Sequence, residues 1–138
     1  LFLGDCNEAA LRAFAGRLDA HLRSERLQLR DNFYWTSPLE SWNMPPDLKR
    51  ELGEAALVIS KGDAQYRRLL GDRRWPYSTP LENIVSYFPT SLVILRASKS
   101  EVMAGLKPGQ VEKLFQADPE WLYNGRWGLI QLWQPPSG

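Results

Sequence analysis

Leu11, Phe14, Ala15, Leu18 and Leu22 recur at i, i+3, i+4, i+7 and i+11, the spacing of one helical face. This predicts an amphipathic helix over residues 8–22, with Asp5 or Asn7 placed to cap it. Leu27 and Leu29 then alternate with Arg26, Gln28 and Arg30, the period-2 pattern of a short half-exposed strand. Residues 31–43 form a connection rich in proline and aromatic side chains. Within it, Ser37-Pro38-Leu39-Glu40 has the form of a capping box with proline at the first helical position, so one helical turn is expected there. A further helix is predicted over residues 46–52, ended by Gly53.

Two continuous apolar runs follow, and each stops abruptly at charge. Ala55-Ala56-Leu57-Val58-Ile59-Ser60 ends in Lys61-Gly62-Asp63 and a helix-like segment, 64–70, closed by Gly71. Ser91-Leu92-Val93-Ile94-Leu95 ends in Arg96-Ala97-Ser98-Lys99-Ser100-Glu101. Runs of this kind read as strands buried on both faces, the habit of parallel sheets. Between them, Thr79-Pro80-Leu81-Glu82 signals a helix through Val85. Beyond them, Val111, Leu114 and Phe115 mark one face of a helix over 108–116, which Pro119 terminates. Residues 127–133 read as a final strand. The alternation predicts an α/β fold, a layered α/β/α arrangement on a mostly parallel sheet. No repeat or linker divides residues 1–138, so one domain is expected.

If the two apolar strands are parallel, their charged ends share one edge of the sheet, the place where open α/β sheets bind ligands. Asp63 is then a site residue offering a hard oxygen ligand for Mg²⁺ or Mn²⁺; alternatively it only caps the following helix. Arg96 offers a planar fork for phosphate oxygens, while Lys61 and Lys99 offer point charges. Gly62 permits close approach to the backbone. If the last strand runs antiparallel, Arg126 arrives at the same edge. The set describes a site for a phosphorylated ligand; the alternative is a group of solvated strand ends. Asp72, Arg73 and Arg74 read as a surface turn that could also line the pocket. Ser60 and Ser98 have no histidine base nearby in sequence, so a serine triad is unsupported. The single histidine, His21, reads as a structural or solvated helix-end residue, and Asp31-Asn32 as a turn.

Composition changes this picture little. The chain has 138 residues, 43% of them hydrophobic and 24% charged, an ordinary globular make-up. Seventeen Lys and Arg against sixteen Asp and Glu give a net charge of +1, which offers no handle for nucleic acid or a membrane surface. The single cysteine, Cys6, cannot form an internal disulfide, in keeping with a reducing, cytoplasmic setting. The first residues, Leu1-Phe2-Leu3, read as the tail of a strand, so the chain is expected to be part of a longer protein.

One stretch is more specific. Lys61-Gly62-Asp63-Ala64-Gln65-Tyr66-Arg67-Arg68-Leu69-Leu70-Gly71-Asp72-Arg73-Arg74-Trp75 resembles the Lys-Gly-Asp-x-Asn-Tyr-Arg-x-Leu-x-Gly-Asp-Arg-x-Trp motif of the damage-control phosphatases, in the branch also called acidic-residue methyltransferase-like. Phe33-Tyr34-Trp35-Thr36, Trp42, Gly105-Leu106-Lys107-Pro108-Gly109, Asp118-Pro119-Glu120-Trp121 and Gly125-Arg126-Trp127-Gly128 extend the resemblance over nearly the whole chain. It implies a phosphatase acting on small phosphate esters such as sugar phosphates with a divalent metal (Mn²⁺, Mg²⁺, Co²⁺ or Ni²⁺). Asp63 matches the metal-coordinating aspartate. Arg96 and Lys99 match the Arg-Thr-x-Lys motif that holds substrate phosphate, with Ala97, Ser98 and Ser100 in the same loop, and Arg126 matches a substrate-contacting basic residue, usually lysine. Gln65 stands where the family has Asn, and Ala97 where it has Thr, so one hydroxyl is gone. The family's Asp-Asn-Ala-Gly stretch, source of its other metal ligands, is absent; Asp31-Asn32 lacks the following Ala-Gly. The resemblance therefore implies the C-terminal part of a longer domain, completed by an N-terminal part of the same protein. An inactive homologue or binding module stays open as an alternative. So does an S-adenosylmethionine-dependent protein carboxyl methyltransferase, although no glycine-rich nucleotide fingerprint is present.

Overall fold

A computed structural model describes residues 8–136. The expected caps Asp5 and Asn7, Cys6 and the Leu1-Phe2-Leu3 run lie outside these described residues. The chain divides after Trp35 into two compact units.

The first unit is built on helix α1, Ala9–Arg23, as the apolar spacing predicts. Glu8 holds the N-cap position without a side-chain bond, and His21 and Arg23 sit in the last turn, where the helix dipole favours cations. The strand expected at Leu27 and Leu29 does not form. Glu25 takes a left-handed turn at φ 56°, and the Leu27 N–H bonds back to the His21 carbonyl at 3.1 Å. Leu29 is left 83% exposed. Alternation makes a strand only where a partner strand accepts the ladder, and none lies beside this segment among the described residues.

In the second unit the helical turn expected at Ser37-Pro38-Leu39-Glu40 falls later than its sequence signal. Ser37 Oγ accepts a 3.4 Å bond from the Leu39 N–H, and the helical turn falls instead at Ser41–Asn43, a 3₁₀ turn. Asn43 Nδ2 closes it by donating to Glu40 at 2.9 Å. Helix α2 spans Pro46–Gly53. Strand β1 (Val58–Lys61) leads through Gly62 into helix α3 (Asp63–Leu69), and the one-turn helix α4 (Glu82–Val85) precedes strand β2 (Leu92–Ala97). Helix α5 (Gln110–Ala117) and strand β3 (Gly128–Trp133) complete the unit.

The sheet order is β1-β2-β3. β1 and β2 are parallel and β2 and β3 antiparallel, so the α/β class holds with a mixed sheet of three strands. Register sorts the side chains onto two faces. Val58, Leu92 and Trp133 align, as do Ser60, Ile94 and Gln131. This face is covered: α3 packs on β1 and β2, and Leu92 and Ile94 are fully buried. Ile59, Val93 and Leu132 align on the other face, followed by Lys61, Leu95 and Ile130. There Ile59 is 61% and Ile130 79% exposed. The expectation that both apolar strands are buried on both faces is thus corrected. A run of β-branched residues looks two-sided in sequence, yet alternate residues meet different surroundings, and here only one face is closed.

A satellite core lies under the loops past β2. Met103, Trp121 and Leu122 are buried together, with Tyr77, Leu106, Leu114, Trp127 and Leu129 packed against them. Phe115 meets the Trp121 ring edge-on at 5.8 Å, the arrangement that ring quadrupoles favour. No helix among the described residues is long and apolar enough to cross a membrane.

Candidate functional site

The charged ends of β1 and β2 do meet at one edge. Lys61 pairs with Leu95, and the Gly62 N–H extends the ladder to the Leu95 carbonyl at 2.8 Å. Gly62 then adopts φ 115°, ψ 157°, a conformation open essentially to glycine alone. That turn ends the strand and starts α3 in a single step. Gly62 holds the N-cap position and Asp63 is the first helical residue, with no side-chain cap bond. The alternative of Asp63 as the helix cap is therefore not what forms.

The Asp63 carboxylate faces Arg96 across the strand ends. Asp63 Oδ1 accepts a 2.7 Å bond from Arg96 Nε and a 3.3 Å bond from Ser100 Oγ. Oδ2 has no partner among the described residues. The Arg96 side chain is completely buried, and that of Asp63 is 19% exposed. Arg96 Nη2 donates to the Ser100 carbonyl at 3.0 Å and to Ser100 Oγ at 2.9 Å, and Nη1 donates to the Val102 carbonyl. One guanidinium thus ties the start of α3 to the loop after β2.

Tyr66 lies one helical turn beyond Asp63, and its ring centroid is 4.3 Å from the Arg96 guanidinium carbon, a cation–π contact. Its hydroxyl donates to the Ala104 carbonyl at 3.4 Å and accepts from the Ala104 N–H at 3.1 Å. Burial pushes the Tyr66 phenol above its ordinary pKa, so it stays protonated and able to donate.

The far side of the loop is fixed from the segment that leads into β3. The Ser98 N–H donates to the Trp127 carbonyl at 2.8 Å, and the Gly125 N–H to the Ser98 carbonyl at 2.9 Å. Behind them Asp118 accepts from Trp127 Nε1 at 2.8 Å and from Asn124 Nδ2 at 2.7 Å. The Trp127 bond first, then the Asn124 bond, holds the Asp118 carboxyl below the usual carboxylate range. The stabilisation is therefore complete above the ordinary carboxyl pKa of about 4 and is lost as pH falls through the lower folded-state value. Asp118→Asn is expected to lower the thermal midpoint at pH 7, with the difference from the parent closing towards pH 2. Thermal unfolding across that pH range checks it; a gap independent of pH would show that the charge does not matter.

A cleft of about 620 Å³ opens at this edge, lined by Lys61, Asp63, Arg96, Ala97 and Lys99, with Leu95 and Ile130 in its apolar wall. The structure thus brings together Asp63, Arg96, Ala97, Lys99 and, by its bond to Asp63, Ser100. Ser98 is buried and acts through its backbone. Arg126 does reach this end of the sheet, because β3 is antiparallel, but it is exposed and outside the cleft lining. Asp72 pairs bidentately with Arg67 at 2.6 Å and 2.6 Å and Arg73 lies 5.2 Å from the Trp42 ring, so both belong to the surface turn. Sequence reasoning marks Tyr66 and Asp118 only as members of the resembling stretches and gives them no role, since their partners lie 38 and 9 residues away and leave no local pattern.

For a divalent cation, Asp63 Oδ2 is a suitable hard ligand, since it has no partner among the described residues and Asp63 lines the cleft. No group of three or more His, Cys, Asp or Glu that could hold a metal occurs among the described residues. These residues fit one side of such a site.

A family model described as "Damage-control phosphatase ARMT1-like domain" matches residues 3–114. Proteins called "Damage-control phosphatase ARMT1" are similar to the chain. The one from Mus musculus is 42% identical over 118 residues, 83% of this chain and 27% of that protein. The one from Macaca fascicularis is 43% identical over 105 residues, 73% of this chain and 24% of that protein. The one from Homo sapiens is 37% identical over 117 residues, 82% of this chain and 26% of that protein. The chain spans about a quarter of the length of these relatives. With the family match running through α1, Asp63 and the loop after β2, the chain belongs to the ARMT1-like damage-control phosphatase domain family.

Proposed function

We propose that the full-length protein is a divalent-metal-dependent phosphatase that hydrolyses small phosphate esters such as sugar phosphates, in metabolite damage control, in the cytoplasm. The observation that carries this reading is the Asp63 carboxylate. Arg96 and Ser100 hold it by Oδ1 just past the carboxyl end of β1, which leaves Oδ2 without a partner among the described residues in a cleft that Lys61 and Lys99 also line. In this reading the chain supplies one metal ligand and the phosphate loop, and an N-terminal part of the same protein supplies the remaining ligands. Asp63 would hold one side of a divalent cation, which would supply Lewis-acid polarisation of a phosphoryl oxygen. Lys99 neutralises the phosphate, Ser98 and Ser100 fix the loop that carries it, and Arg126, at the same end of the sheet, contacts the substrate. Ala97 lines the cleft but brings no hydroxyl, so that position contributes shape alone.

The reading is tested by phosphate release from sugar phosphates by the full-length protein with Mn²⁺, before and after chelation. Release that stops on chelation and returns with metal is expected. No release, or a rate indifferent to chelation, overturns it. Ala97 favours a second reading, a phosphate-binding module without turnover, which would show as sugar-phosphate binding with no release.

A further inference from the structure

The site divides its cations into two kinds, and the division assigns a role to a residue the phosphate loop does not include. Arg96 lines the cleft and has the geometry best suited to a phosphate fork, yet its guanidinium is already engaged within the protein. Its side chain is fully buried and its three nitrogens donate to Asp63, Ser100 and Val102, while one flat face lies against the Tyr66 ring. A ligand reaches this guanidinium only by displacing those partners. Lys61 is the opposite case. It is the last residue of β1, exposed, and lines the cleft. Its side chain makes no hydrogen bond or ion pair with any described residue. Register sets it beside Leu95, which in turn pairs with Ile130, so the ammonium group has no carboxylate beside it in the sheet.

Lys61 and Asp63, two apart in the chain, part company because Gly62 breaks the period. Side chains two apart on a strand share a face, but at φ 115° the chain leaves the sheet between Lys61 and Asp63. Asp63 is drawn to Arg96, and Lys61 stays on the open face, at the mouth of the same cleft. A lysine on an outer strand also serves to discourage edge pairing; in that role it would leave ligand affinity unchanged.

We propose that Lys61 is a ligand-binding residue of this site, which with Lys99 presents the cations that face a phosphate group, while Arg96 serves as a positioning residue for Asp63 and the loop after β2. The inference deepens the phosphatase reading and rests on it for the identity of the ligand. Two lysines are point charges with rotatable donors. They suit the mobile oxygens of a phosphate monoester and impose less geometry than an arginine fork.

The test uses the full-length protein, with inorganic phosphate as the calorimetric probe and a sugar phosphate as the kinetic one. Lys61→Met keeps most of the aliphatic length and removes the charge; Lys61→Arg keeps the charge. Lys61→Met is expected to weaken inorganic phosphate binding about tenfold and to raise KM by a similar factor with a smaller change in kcat. Lys61→Arg should stay within about threefold of the parent on both measures. Because the side chain is exposed, the thermal midpoint of Lys61→Met should match the parent's. Phosphate affinity and KM of Lys61→Met within about twofold of the parent would overturn the assignment and leave the edge-guarding role. Should the parent bind phosphate but release none from sugar phosphates, the phosphatase reading falls while calorimetry still decides Lys61. Should the parent bind no phosphate, both fall.

Discussion

Asp63→Asn in the full-length protein is expected to cut phosphate release by about 10³-fold, several kcal/mol of transition-state stabilisation at about tenfold per 1.36 kcal/mol. The substitution is nearly isosteric. The amide oxygen it introduces can still accept from Arg96 Nε and Ser100 Oγ, which now hold the carboxylate at 2.7 Å and 3.3 Å. What changes is the other oxygen, Oδ2, where an anionic acceptor becomes an amide NH₂ that donates and cannot ligate a cation. The loss should therefore fall mainly on kcat and on the Mn²⁺ concentration needed for half activity. Lys61 and Lys99 remain, so binding of inorganic phosphate should change little. Titrating activity against Mn²⁺ for both proteins checks the expectation. Equal turnover at every metal concentration would remove Asp63 from the chemistry and reduce it to a partner for Arg96.

Much of the site is legible in sequence because it hangs on strand ends. Two apolar runs that stop at Lys61-Gly62-Asp63 and at Arg96-Ala97-Ser98-Lys99 mark their own termini, and a parallel pairing needs no further information to place both at one edge. α1 is legible for a similar reason: five apolar residues on one helical face admit no other regular structure. The direction of β3, and with it the arrival of Arg126, depends on pairing that residues 127–133 do not declare. Burial misleads at β1, since Val58-Ile59 looks the same in sequence whether Ile59 is covered or open. The Leu27–Leu29 alternation fails because a strand is a property of two segments. The least legible feature is the orientation of Arg96. Its acceptors include the backbone carbonyls of Ser100 and Val102, and carbonyls carry no sequence signature. An arginine at the end of a strand reads as an anion receptor until the loop that folds back over it is seen.

That orientation gives Arg96→Met the largest expected effect on stability. The side chain is fully buried, and its loss strands three sets of acceptors together: Asp63 Oδ1, the Ser100 carbonyl and hydroxyl, and the Val102 carbonyl. Removing one partner of a buried ion pair commonly costs about 3–5 kcal/mol, because the other charge is left uncompensated. Asp63 keeps some contact with water at 19% exposure, which places the expectation near the lower end, about 3 kcal/mol. Denaturant unfolding of the full-length protein measures it. Arg96→Lys should recover little, since a single ammonium on a flexible stem cannot span Asp63, Ser100 and Val102 from one position as the guanidinium does. The decisive comparison is the double variant. If the cost arises from an orphaned carboxylate, adding Asp63→Asn to Arg96→Met should return part of the lost stability, a coupling that independent sites do not show. A ligand-facing arginine would behave otherwise: Arg96→Met would then leave unfolding nearly unchanged, raise KM, and show no coupling to Asp63 in the absence of substrate.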